Sequence, residues 1–362
     1  MSFASDYTFI DRLQHYVAFS SPLVQKVLCD LENDLFKRHI EDVISKQEVF
    51  VTGLPRSGTT LLLELLYETG EFKTYTYRHM PFILAPLLWR KVSQRFQKAG
   101  VKKERAHGDR MLVSYDSPEA FEEIIWLTYM KQKIVNAKTL SPLSSGNYTE
   151  EFAQNFRNSV KKLLILDGEK PHSAKPLRYL SKNNANISRI EVITELFPSC
   201  VILVPFRHPL AQVSSLMKQH DRFSEQHGKD SFSKRYMKWI GHYDFGENFK
   251  PINYNGWLDK RPFSSQIDKN FWLEYWTEAY SYVLRHLGEN LYLVDFDELL
   301  RKGKLTLEKI ANCVKLSQGE RLIDAAKFLR SPTTSPIGSN DCSSKKWNLA
   351  HDVYEQLKTH AL

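Results

Sequence analysis

Arg56 and Arg207 each stand where an apolar run gives way to a segment that can start a helix, and the spacing around them suggests anion chemistry. Arg56 lies in Gly53-Leu-Pro-Arg-Ser-Gly-Thr-Thr60, directly after Glu48-Val-Phe-Val-Thr52. Gly53 and Gly58 have the spacing of the phosphate-binding pattern G-x-x-x-x-G-K-[ST], and Thr60 fills its final slot. The lysine slot holds Thr59, so the loop's cation has moved inside it. Triphosphate chemistry would lack its main counter-charge there. The loop keeps what an anion needs: backbone N–H groups, the positive end of a following helix, an arginine that can grip two oxygens, and three hydroxyls on Ser57, Thr59 and Thr60. A tight strand-to-helix turn capped by Ser and Thr is the plainer alternative.

Arg207 closes Cys200-Val-Ile-Leu-Val-Pro-Phe206, a run typical of a strand buried on both faces. Pro209 suits a first helical position. Ser215, eight residues after Arg207, then lies two turns into that helix, on roughly the face of its start. Open α/β sheets bind ligands at the carboxyl ends of their strands, which is where Arg207 falls.

In order and spacing, these segments resemble the sulfotransferases that use 3′-phosphoadenosine 5′-phosphosulfate (PAPS). Pro55-Arg56-Ser57-Gly58-Thr59-Thr60 is similar to their 5′-phosphosulfate loop, and Arg207 with Ser215 to the pair that grips the 3′-phosphate. Lys182-Asn183, Glu195-Leu-Phe-Pro198 and Val294-Asp-Phe-Asp-Glu-Leu299 look like family segments, so the likeness covers roughly residues 48–316. It is nearer to bacterial-type enzymes than to animal cytosolic ones. Leu61 stands where tryptophan often follows Thr-Thr, and no Arg-Lys-Gly signature occurs near the end.

The resemblance implies an α/β protein with a parallel sheet flanked by helices, in a P-loop-like sulfotransferase fold. It also implies PAPS as donor, no metal, and in-line transfer to a hydroxyl, or less readily an amine, of a small-molecule, glycan or lipid acceptor. A general base would come from the region after the second strand, which here is Tyr77-Arg78-His79-Met80-Pro81. His79 is the first candidate, followed by His107 in His107-Gly108-Asp109 and Glu119 in Asp116-Ser117-Pro118-Glu119. His220 and His242 are candidate substrate contacts. Lys345 and Lys346, with Trp347, either close over the nucleotide or form a solvated patch. The runners-up are a P-loop kinase or hydrolase, with Asp295 and Asp297 offered to magnesium, and an inactive nucleotide-binding relative.

The elements that would position these residues alternate along the chain. Residues 1–45 read as amphipathic helix, with Leu23, Val27, Leu28, Leu31 and Leu35 at helical spacing. Strands are expected at 48–52, 72–77, 179–182, 200–206 and 291–296. Helices are expected at 61–69, from Ser117 onward, at 188–197, after Pro209, and from the last strand to about 316. Ser117 would be the N-cap of its helix, with Glu119, Glu122 and Glu123 in the first turn. Residues 221–268 read as a loop-rich acceptor-side insertion. Its Trp239, Tyr243, Phe245, Phe249, Tyr254 and Trp257 would line a pocket or fill core. The expected organisation is one domain, 1–362: a helical segment 1–45, an α/β core at 46–220 and 269–316, the insertion 221–268, and a C-terminal segment 317–362.

Composition sets the outer limits. The chain has 362 residues, 42% of them hydrophobic, which excludes a disordered class. The formal charge of +8 comes from scattered pairs such as Lys102-Lys103 and Lys161-Lys162, which suits a small anion better than nucleic acid. Four distant cysteines form no C-x-x-C pair. The amino terminus has no signal-peptide pattern, and the most apolar stretch, Phe82 to Trp89, is short and broken by Pro86, so a cytoplasmic protein is expected.

Overall fold

A computed structural model describes residues 9–93, 103–104, 112–113, 117–166, 177–259, 267–329 and 337–362. Three helices come first: α1 (Phe9–Phe19), α2 (Pro22–Leu35) and α3 (Lys37–Glu41). Next come β1 (Val49–Val51), α4 (Thr59–Tyr67), β2 (Phe72–Lys73) and α5 (Pro86–Ser93). An antiparallel pair, β3 (Lys103–Glu104) and β4 (Leu112–Val113), precedes α6 (Glu123–Ile134) and α7 (Glu150–Ile165). The chain continues through β5 (Arg178–Lys182), α8 (Ile190–Leu196), β6 (Val201–Phe206), α9 (Pro209–Lys229) and α10 (Ser231–Trp239). It ends with α11 (Lys269–Arg285), β7 (Leu291–Asp295), α12 (Phe296–Arg301), α13 (Gly303–Val314), α14 (Gly319–Asp324) and α15 (Ser344–Thr359).

Five strands form a parallel sheet in the order β2-β5-β1-β6-β7. Strand alternation sends Val49 and Val51 to one face, where they pack with Leu62, Leu66, Leu203 and Ile310 under α4 and α13. Phe50 faces the other way, into a larger core with Trp126, Phe156, Tyr179, Val204 and Trp276. Each such side chain contributes about 1.5–3 kcal/mol through burial. Helices therefore cover both faces of the sheet. Val51 is in register with Lys182 and Leu203, whereas β6 runs three residues further, to Phe206 opposite Asp295. The residues that follow these ends, from 52, 183, 207 and 296, all emerge on the same side of the sheet.

Three sequence expectations are corrected. β2 stops at Lys73 rather than Tyr77, because Thr76 enters a separate antiparallel bridge with Pro118 and a tight turn follows at Tyr77–His79. Ser117 opens no helix. Residues 117–120 stay extended, the Glu119 N–H donates to the Tyr75 carbonyl, and α6 begins at Glu123. The helix expected at 188–197 is α8, preceded by a 3-10 turn at Asn184–Ser188 that Asn183 caps. The span 221–268 is also not loop from its start. α9 runs to Lys229, and Asp230 caps α10 by accepting from the Phe232 and Ser233 N–H groups, so irregular chain begins only after Trp239. Among the described residues, no helix is long and apolar enough to cross a membrane.

Candidate functional site

The loop between β1 and α4 has a backbone that few residues tolerate. Arg56 has φ +68° and Gly58 φ +105°. A Cβ on Gly58 would come 2.2 Å from the Phe296 ring, so glycine is required there on two counts. Arg56 is not glycine, and a left-handed arginine in a loop is the kind of local strain that functional sites hold. The rest of the structure fixes it from behind. Gln212 Nε2 donates to the carbonyls of Leu54 (3.3 Å) and Pro55 (3.0 Å), Trp276 Nε1 donates to Gln212 Oε1 (2.9 Å), and the Tyr280 hydroxyl donates to the Pro205 carbonyl (3.1 Å). These three supports were not singled out in the sequence. Gln212 alone had a signal, one turn before Ser215 on the same helix face.

Ser57 lies fully buried at the base of the loop, Thr59 is buried, and Thr60 is half-buried. Thr59 and Thr60 form the first turn of α4, whose positive end faces the loop. Thr59 Oγ1 donates to Asn184 Oδ1 at 3.1 Å.

The second clamp is adjacent. Arg207 follows β6 and is mostly buried; its Nε stands 3.5 Å from Asp297 Oδ1, and its guanidinium lies 5.8 Å from the centre of the Phe296 ring. Asp297 also accepts the His208 N–H at 2.8 Å, and Asp295 caps α12 through the Glu298 N–H at 3.0 Å. These two carboxylates are thus engaged in building the strand-to-helix turns. Ser215 on α9 accepts from Arg56 Nε at 3.0 Å. The two segments therefore meet twice, through Arg56 with Ser215 and through Phe296 between Gly58 and Arg207.

A third group gathers beside Thr59. Asn184 Nδ2 donates to Asp244 Oδ2 at 3.2 Å, and His242 Nε2 lies 3.9 Å from the same oxygen. Burial pushes the His242 imidazole below its ordinary value, Asp244 opposes this, Lys182 adds to it, and Glu119 opposes it. His242 is therefore held neutral near pH 7, amid one cation and two carboxylates. Glu119 is half-buried and accepts from the Tyr77 hydroxyl (3.2 Å) and the Ala120 N–H (2.9 Å).

Below this group lies a fully interior polar network. Arg189 NH1 and NH2 donate to the two oxygens of Glu123 (2.6 and 2.9 Å), to which Asn183 Nδ2 also donates (2.8 Å). Glu122 accepts from Trp126, Tyr179 and Asn186 (3.0, 2.8 and 2.7 Å). Glu122 and Glu123 stand at the start of α6 as expected, and their carboxylates also anchor the turn that carries Asn183 and Asn184.

The remaining candidates fall elsewhere. His79 is buried; its Nδ1 accepts the Thr76 N–H at 2.9 Å and its ring meets Tyr75 edge-on, so it caps the turn after β2. His107 lies outside the described residues. His220 packs edge-on against Phe249 and Trp272. Lys345 is exposed, and Lys346 pairs with Glu274 on α11 at 2.8 Å. Trp347 lies 5.9 Å from the His208 ring, beside Arg207, and stacks on His351 at 5.3 Å. Tyr243, Phe245 and Tyr254 are core, and Trp239 stacks on Phe19 of α1. Among the described residues, no cluster of three or more His, Cys, Asp or Glu is arranged to hold a metal ion.

The model of a family described as "Sulfotransferase family" matches residues 48–255, a span that includes Arg56, Arg207 and Ser215. No curated protein matches the chain in sequence. Among solved structures, sulfotransferase STF9 from Mycobacterium avium is 12% identical, with 96% of this chain and 86% of that one covered and a TM-score of 0.54. Sulfotransferase STF1 from Mycobacterium tuberculosis is 14% identical over 93% and 82% of the two chains, with a TM-score of 0.48. At such identities the first supports the fold alone, and the second adds no weight.

Proposed function

Since the chain belongs to the sulfotransferase family, we propose that it moves a sulfuryl group from PAPS to an acceptor hydroxyl, without a metal. The observation that carries this reading is the 3.0 Å contact between Arg56 and Ser215. It brings the two cationic strand ends together, as a ligand with phosphates at both ends would need. In this reading the loop amides, Arg56, Ser57, Thr59 and Thr60 bind the 5′-phosphosulfate, and Arg207 with Ser215 binds the 3′-phosphate. Asp297 orients Arg207, and Phe296 keeps the loop and the arginine at a fixed separation.

Transfer of this kind builds charge on the leaving 5′-phosphate oxygen, and a preorganised cation with N–H groups stabilises it without rearranging. The acceptor hydroxyl needs a base. We assign that role to His242, because the Thr59–Asn184–Asp244 chain of contacts leads from the loop to its ring, which burial keeps ready to take a proton. Asp244 holds the ring and Lys182 offsets nearby negative charge. Glu119 and His79 are the alternative bases, His79 with its Nδ1 bonded to the Thr76 N–H.

The test uses donor labelled in its sulfuryl group, incubated with the protein and pooled hydroxyl metabolites in the presence of a chelator. Label should pass to an acceptor at an undiminished rate. Transfer that stops with chelator and resumes with magnesium would contradict metal independence. Transfer of the γ-phosphate from labelled ATP, with none from PAPS, would favour a kinase.

A further inference from the structure

The two N-terminal helices are folded with their polarity inverted. In α2 the buried residues are Gln25, Cys29 and Glu32, whereas Leu23, Val27, Leu31 and Leu35 are 63%, 55%, 47% and 60% exposed. The buried polar groups explain why this face is held inward. Gln25 Nε2 donates to the Ala18 and Pro81 carbonyls (3.2 and 2.9 Å), Glu32 accepts the Leu88 N–H (2.6 Å), and Glu32 stands 3.6 Å from the wholly buried Lys162. Turning the helix to hide its leucines would strand a buried lysine, so the apolar side has to face out. On α1 the buried residues are His15 and Ala18, and Phe9, Leu13 and Val17 are exposed.

We propose that this surface is a self-association face: two copies of the chain pair about a two-fold axis through α2, with α1 at the edge. The four exposed aliphatics of α2 recur every fourth residue and form one continuous ridge. Such ridges interdigitate with ridges of the same spacing at about −50°, the commonest class of helix packing. A ridge of uniform aliphatics is complementary to itself, as a two-fold interface requires. The exposed apolar side chains of α1 and α2 present an area on the order of 800 Å², what one partner gives to a standard-size interface, and more than monomers commonly leave in one patch.

A lipid surface fits less well. The row beside the ridge carries Asp30 and Asp34, both exposed, and sinking the ridge among acyl chains would carry two carboxylates with it. At the rim of a protein interface they stay in water.

The test reads mass and needs no assumption about catalysis. Sedimentation velocity of the full chain at micromolar concentration should give a species of two 42.3 kDa chains. Leu31→Glu places a charge at the ridge centre, on a side chain already half in water. It should weaken association at least ~100-fold while leaving helical content unchanged. Should Leu31→Glu lose helical content, Val27→Glu interrogates the same ridge. A one-chain mass for the unmodified protein across the concentration range would overturn the proposal, as would a dimer indifferent to both glutamates. Co-sedimentation with neutral phosphatidylcholine vesicles, abolished by Leu31→Glu, would assign the face to lipid and overturn it equally.

Discussion

At the scale of single residues, the roles proposed for Arg207 and His242 separate binding from chemistry. Arg207→Ala removes charge-assisted hydrogen bonds worth about 1.5–3 kcal/mol each, so affinity for adenosine 3′,5′-bisphosphate should fall at least ~10-fold in a calorimetric titration. Lysine should restore only part of it, since it cannot grip two oxygens in a plane. His242→Ala should lower kcat by ~100-fold or more and leave that affinity nearly unchanged, as expected of a proton acceptor. Burial holds the His242 pKa below the ordinary 6.5. The acid limb of the pH–rate profile should therefore lie below 6.5, with activity retained above it and lost as the ring protonates. A limb that persists in the His242→Ala variant would transfer the role to Glu119.

Among elements, the loop after β1 and the turn after β5 were legible to different degrees. Glycine spacing, a flanking apolar strand and a Ser/Thr-led helix are local signals, so Arg56 through Thr60 stood out, as did Arg207 and Ser215. The supports did not. Gln212, Trp276 and Tyr280 act across 60 or more residues of chain, and nothing in their neighbours marks them. Local rules also misled. Glu119 obeys helix-start preferences, yet the bond from its N–H to the Tyr75 carbonyl holds it outside α6, whereas Glu122 and Glu123 do start that helix and are recruited into the core as well. His79 follows a strand as a catalytic base would, and its Nδ1 caps a turn, which its position in the sequence did not signal. Two consequences are measurable. Glu123→Ala leaves the Arg189 guanidinium buried without its carboxylate and should cost about 3–5 kcal/mol in denaturant unfolding. Gly58→Ala, which meets both the Phe296 ring and a positive φ, should abolish nucleotide binding while helical content survives.

Over the whole molecule, buried ionisable groups pull stability against pH in opposite directions. Burial lowers the pKa of His15, His208, His220, His227 and His242. Below 6.5 the unfolded chain takes up protons that the folded one refuses, so their joint effect is stability lost as pH falls. Burial raises Glu32 to about 7, partly offset by Lys162, and raises Asp295. Their contribution is fully present at low pH, and for Glu32 it is lost as pH rises from about 4.5 through about 7. Five histidines outnumber two carboxyls, so the melting midpoint should drop between pH 7 and 5.5; a rise would mean that Glu32 dominates. The identity of the ligand decides the functional account. Calorimetric titration of the unmodified protein and of Arg207→Ala, each with adenosine 3′,5′-bisphosphate and with adenosine 5′-monophosphate, reads both clamps together. The unmodified protein should prefer the bisphosphate at least ~10-fold, and the variant should lose that preference while still binding the monophosphate. Equal affinities in the unmodified protein, or a preference untouched by the substitution, would contradict a 3′-phosphate site at Arg207.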